Sequence, residues 1–157
     1  MAFPGGVERA LEAVDVRLVG DSCVWAATHQ YAQGETYNVT NGEIFSWRDI
    51  WPAMAQNLSV TLGKDESLLV AYYMMPRVAL RQDIVAQHNL ASNTLEQLVG
   101  ESHHYADLFF AYGASEAPPP IFVSTVKIHK AGFTQAYNSE ESFCYWLDDL
   151  RARRTIP

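Results

Sequence analysis

Few side chains in this sequence combine the type and spacing that chemistry needs. His103, His104 and Asp107 fall within five positions and would make a metal site if a helix gathered them on one face. Adjacent helical residues point about 100° apart, so at most two of the three converge, short of the roughly four ligands of a closed site. Exposed or hydrogen-bonded histidines are the expectation, and no metal is assigned. Glu140-Glu141 and Asp148-Asp149 lie where a helix start and a solvated face explain them. Cys23 and Cys144 are far apart, with no Cys-x-x-Cys spacing, and are expected to be free, buried thiols. No Gly-x-Gly-x-x-Gly turn, P-loop or Gly-x-Ser-x-Gly elbow occurs, so the motifs assign no cofactor-binding or catalytic residue to the chain itself. Eight tyrosines, seven phenylalanines and four tryptophans could build a core or wall an apolar pocket. The two clusters that stand out are Tyr72-Tyr73-Met74-Met75 and Tyr105 with Phe109 and Phe110.

The elements that would position these groups follow from periodicity and capping. Val14, Val16 and Leu18 alternate with Asp15 and Arg17, which predicts a strand over 14–19. A helix from Cys23 to Tyr31, capped by Asp21 or Ser22, and a second strand over 35–41 would complete a parallel crossover unit. Ser46-Trp47-Arg48-Asp49 has the pattern of a capping box, opening a helix to about Asn57 that Pro52 should kink or delay. Helical segments are predicted over Ser67–Met75, Arg77–His88, Thr94–Val99 and Ser102–Ala111. The run Ala114–Pro120 must be a loop. A short helix from Ser124 should stop at Gly132. The last helix, from Asn138 or Ser139, places Phe143, Trp146, Leu147 and Leu150 on one apolar face expected to be buried, with Arg151, Arg153 and Arg154 in its final turn.

Composition bounds the function classes. The chain has 157 residues and a formal charge of −7, which argues against nucleic acid as its partner. Its longest apolar run, Leu68 to Met75, is far below the ~20 residues of a membrane span. The first residues, MAFPGGVERALEAV, lack the basic and apolar regions of a targeting segment, so a cytoplasmic chain is expected. Without repeats or linkers, one domain follows.

Several marker runs are shared with a known family. They are Phe3-Pro4-Gly5, Trp25-Ala26-Ala27, the run Asn38-Val39-x-Asn41-Gly42-Glu43-x-Phe45-x-Trp47, Trp51, Lys130-Ala131-Gly132-Phe133 and the terminal Ile156-Pro157. On these the chain resembles the carboxy-terminal part of the progesterone 5β-reductase and iridoid synthase-like reductases, atypical extended short-chain dehydrogenases. The resemblance implies an α/β fold, the carboxy-terminal part of an extended Rossmann-type reductase. That part is expected to be mostly helical with two or three short strands and to lack the nucleotide-binding half. Residues 1–157 would then be a single substrate-binding region.

In that family the amino-terminal part binds NADPH through a glycine-rich turn, carries a catalytic tyrosine and lysine, and delivers hydride to an activated carbon–carbon double bond of an enone or enal. None of the eight tyrosines here has a lysine four residues on; the lysines are Lys64, Lys127 and Lys130. The resemblance therefore implies NADPH for the full-length family and none for this chain, which is not expected to turn over substrate alone. What carries over is an aromatic residue before an Ala-Asp pair, lining the pocket above the nicotinamide; Tyr105 before Ala106-Asp107 matches it. His103 and His104 stand where relatives have tryptophan, which would make the pocket more polar. The implied ligand is a small, apolar, carbonyl-containing molecule. A non-enzymatic module that binds such a ligand or a protein is the alternative. In either case an unpaired sheet edge would call for a second copy or a missing amino-terminal half.

Overall fold

Residues 1–157 are described by a computed structural model. About half of them are helical: α1 Val16–Thr28, α2 Trp47–Asn57, α3 Val70–Met74, α4 Val78–His88, α5 Leu95–Val99, α6 Ser102–Phe109, α7 Val126–Lys130 and α8 Ser139–Ala152. The only bridge between extended segments joins Leu11 and Phe45, antiparallel, with N–H···O bonds of 2.8 and 3.0 Å.

The strand expected over 14–19 is a correction. Asp15 has extended backbone and accepts from the Arg17 amide, so it is the N-cap of α1. An oxygen placed there satisfies a free first-turn donor, and from that point helical period decides burial. Leu18, Ser22 and Trp25 face inward at i, i+4 and i+7, while Val14 and Val16 are exposed. The helix predicted from Cys23 thus begins seven residues earlier, through Gly20, and ends at Thr28. Residues 35–41 form no regular element and pair with no strand, so the parallel crossover unit is absent from this chain.

Other elements lie where local signals put them. Ser46 and Asp49 close the capping box of α2, which runs unbroken through Pro52; that residue is exposed, while Ile50 and Ala55 are buried. The helices of the middle segment fall within a few residues of expectation; α4 ends on Asn89 in the left-handed region (φ 50°). Residues 114–125 are irregular, and Gly132 at φ 106° follows α7.

Two apolar clusters hold these pieces together. Leu18, Trp25, Ala32, Ile128 and Phe133 form one, joining α1 to α7; Leu11, Phe45 and Ile50 form the other, with Trp47, Met54 and Phe143 against it. An aromatic group of Phe3, Trp51 and Phe110 sits edge to face at 5.4–5.9 Å and ties the first residues to α2 and the end of α6. Gly6 donates its amide to the Phe110 carbonyl at 2.8 Å. A Cβ at Gly6 would strike the Ala111 carbonyl, so the Phe3-Pro4-Gly5-Gly6 run serves close backbone packing.

The inner face of α8 is also a correction. Its fully buried side chains are Ser139 and Ser142, whereas Phe143, Trp146 and Leu147 are only half-buried and Leu150 is exposed. The serines face polar groups, as described below, so small hydroxyls occupy the position that apolar periodicity assigned to large side chains. Arg151 bonds the carbonyls of Asn57 at 2.8 Å and Pro157 at 3.1 Å, fastening α8 to the end of α2.

Only 20 of 157 residues are buried, and the accessible surface is 10091 Å². Size scaling gives about 7,900 Å² for a compact monomer of 17.6 kDa, so the excess is on the order of 2,000 Å². Among the exposed apolar residues are Tyr72, Tyr105, Leu108 and Ile121.

Candidate functional site

Tyr105 lies in the middle of α6, a helix of eight residues started without a side-chain cap. The residue pair after it explains how that helix is placed. Both carboxylate oxygens of Asp107 accept backbone amides at the start of α3, from Val70 at 2.6 Å and Ala71 at 3.2 Å. Leu69, the N-cap of α3, has no oxygen to offer, so Asp107 supplies from 36 and 37 positions away the cap that α3 lacks locally. Ala106, small and half-buried, precedes it.

This bond locks α3 and α6 into one unit whose outer side is aromatic. Tyr105, Leu108 and Phe109 share a face of α6 by their i, i+3, i+4 spacing, and all three are exposed. On α3, Tyr72 and Tyr73 are exposed as well, with the Arg77 guanidinium 3.7 Å from the Tyr73 ring centroid. Tyr105, the one residue singled out as a pocket wall, is 61 % exposed, and the arrangement is a shelf rather than an enclosed cavity.

His103 is buried, its Nδ1 without a protein partner, and its ring lies 4.1 Å from that of His104. The two rings thus converge more than their helical positions imply. Asp107 is turned away to cap α3, and no group of three metal-ligating side chains is found. Cys23 is exposed, a correction to its expected burial, because it lies beside Ser22 on α1 rather than on the inward Leu18–Ser22–Trp25 line. Cys144 is half-buried, and that burial, reinforced by Glu140 and Asp148, raises its thiol pKa.

A dinucleotide would need a free helix start for its phosphates. Here a carboxylate already occupies the start of each of three helices: Asp15 at α1, Asp49 with Glu8 at α2, and Glu43 at the first amide of α8. Negative charge at these three positions opposes phosphate there.

Loss of the Asp107 bridge should be measurable. Asp107→Ala is expected to cost about 1–2 kcal/mol and to speed amide hydrogen exchange at Val70 and Ala71 selectively, because two capping bonds disappear while the core stays intact. Denaturant unfolding combined with residue-resolved exchange checks it.

No family model matches the chain. Known proteins do. The (S)-8-oxocitronellyl enol synthase of Catharanthus roseus is 30% identical over 151 residues, covering 93% of this chain and 37% of that protein. The protein of the same name from Camptotheca acuminata is 27% identical over 150 residues, 93% of this chain and 36% of its own length. A 3-oxo-Delta(4,5)-steroid 5-beta-reductase of Arabidopsis thaliana is 26% identical, covering 100% of this chain and 40% of that protein. The chain thus spans between about a third and two fifths of the length of the curated relatives it matches. Over nearly its whole length, this chain is similar to the carboxy-terminal part of the progesterone 5β-reductase and iridoid synthase-like reductases.

Proposed function

We propose that residues 1–157 are the substrate-binding region of an NADPH-dependent short-chain reductase acting on the activated double bond of an enone or enal, without turnover by this chain alone. The observation that carries this reading is similarity over 93–100% of the chain to proteins named as an oxocitronellyl enol synthase and a steroid 5-beta-reductase. In this reading Tyr105 and its neighbours form one wall of a pocket whose other wall and cofactor come from an amino-terminal half. NADPH would supply the hydride; the role of this chain's residues is to hold an apolar carbonyl compound against that second wall.

Two features of the surface support the need for a mate. The exposed area exceeds that of a compact monomer, and the amides of residues 36–40 have no backbone partner. An amino-terminal half fits both, because strand pairing would satisfy the edge and packing would cover the shelf.

The test uses the 157-residue chain. Titration with cyclic enones, enals and steroid enones should perturb tyrosine and tryptophan fluorescence, and Tyr105→Ala should weaken that response about tenfold. NADPH should not be oxidised. Turnover by the chain alone would defeat the proposal, as would unchanged fluorescence up to the solubility limit. Binding that persists without turnover when a relative's amino-terminal half is added would favour the non-enzymatic binding module, the reading favoured by the lack of a tyrosine–lysine pair. Light scattering decides whether the uncovered edge is met by a second copy.

A further inference from the structure

The helix α4 has no buried residue, yet it is held in place by its own connection to α5. The chain turns at Asn89, the Leu90 amide returns to the Val85 carbonyl at 3.0 Å, and the Ala91 amide bonds the Arg154 carbonyl at 2.8 Å. The doubled-back segment borders a half-open cavity of about 430 Å³ between α4 and residues 92–96. That is within the range of roughly 300–1,000 Å³ typical of small-molecule sites. It shares no residue with the aromatic shelf of α3 and α6.

The lining is amphipathic. Val78 and Val85, one face of α4, and Leu95 of α5 are half-buried around the space. Arg81, from the same face, is also half-buried and has no acidic partner within 4 Å. Its Nη2 donates to the Ala91 carbonyl at 3.3 Å, which fixes the guanidinium, while Nη1 has no protein acceptor. Ser92 and Asn93 line the cavity with side chains that bond to nothing else in the protein. Glu96 is the one acidic side chain in the lining, and it makes no ion pair with Arg81.

We propose that the cavity between α4 and residues 92–96 binds a small amphipathic monocarboxylate, its carboxylate on Arg81 and its hydrocarbon tail along Val78, Val85 and Leu95. An anchored guanidinium with an open donor prefers a planar carboxylate, which it can meet through more than one N–H. The nearby Glu96 charge opposes a second negative charge, so a monoanion is favoured over a phosphate dianion. The apolar walls exclude a ligand that is polar throughout.

Octanoate is the probe, titrated into the 157-residue chain and followed by calorimetry and amide chemical shifts. Saturable binding is expected, with shifts confined to residues 78–96. Octanol and inorganic phosphate should each bind at least tenfold more weakly, and Arg81→Gln should lose at least tenfold. Because Arg81→Gln also removes the bond to Ala91, Ala86→Trp provides the second variant. It fills the space from an exposed α4 position in the lining, leaves Arg81 in place, and should abolish octanoate binding. Equal binding of octanoate and octanol, retention by Ala86→Trp, or shifts centred elsewhere would overturn the proposal. The shelf at Tyr105 is read by enone fluorescence, so failure of either site is separable from failure of the other.

Discussion

Replacing Asp15 by alanine is expected to destabilise the protein by about 2–3 kcal/mol, because the Ser142 hydroxyl and Trp146 Nε1 lose their acceptor while the Arg17 guanidinium, 30 % exposed, keeps access to water. The carboxylate is 3 % exposed and accepts from the Arg17 amide, Nε and Nη2 at 2.7–2.9 Å, from Trp146 Nε1 at 3.2 Å, and from the Ser142 hydroxyl. Its own amide donates to Asn41 Oδ1 at 2.6 Å, and Asn41 Nδ2 reaches Ser139 Oγ at 3.1 Å. One aspartate thereby caps α1, orients α8 and fixes the segment that ends at Asn41. Arg17 is held in turn against the Tyr145 ring, 3.6 Å from its centroid. Removing the carboxylate takes the acceptor from the Arg17, Ser142 and Trp146 donors at once, while the backbone bond to Asn41 remains.

The same site has a pH signature. The Arg17 hydrogen bonds hold the Asp15 carboxyl far below the usual carboxylate range; burial pushes it upward, and the Ser142 bond helps to hold it down. In the unfolded chain it titrates near ~3.9. A pKa lower in the folded state means that its stabilisation is complete above about pH 4 and declines as the pH falls below that value. Urea unfolding from pH 7 to pH 2 should show this acid-side loss, and Asp15→Asn should flatten it while lowering stability at neutral pH. A parallel acid-side slope in Asp15→Asn would place the titrating group elsewhere.

Leu18→Ala is expected to cost about 3–5 kcal/mol, because the side chain is fully buried in a cluster with Trp25, Ile128 and Phe133 and its loss removes apolar burial and leaves a cavity. Val16→Ala should change stability by no more than about 0.5 kcal/mol, since that residue is 61 % exposed. The pair separates two readings of one segment. In a strand, Val14, Val16 and Leu18 would share a buried face and suffer alike; in α1 only Leu18 is on the inner line. Chemical denaturation of both variants makes the comparison.

Much of the local structure was legible. Ser46 with Asp49, and Asn138, act within a single turn, so spacing alone reveals them, and each caps its helix as bonded here; the Thr94–Gln97 box that opens α5 is equally local but was seen only in the structure. Gly132, at positive φ, follows the end of α7, and the prolines at 118–120 lie in an irregular stretch, both for equally local reasons. At Asp15 locality misled: two alternating valines gave strand period over six residues, too short a window to outweigh a capping aspartate and the helical line Leu18, Ser22, Trp25 that follows.

The sequence by itself determined which helices form across the middle and end of the chain, its similarity to a family of reductases, and Tyr105 as the residue to watch. Only the tertiary structure decided that Asp107 caps a helix 36 positions away, that serines rather than Leu150 make the buried side of α8, and that Arg81 stands unpaired over a cavity. Capping and periodicity operate over a turn or two, so they leave a mark in neighbouring residues. A bond such as Ser142 to Asp15, spanning 127 positions, leaves none until the chain has folded.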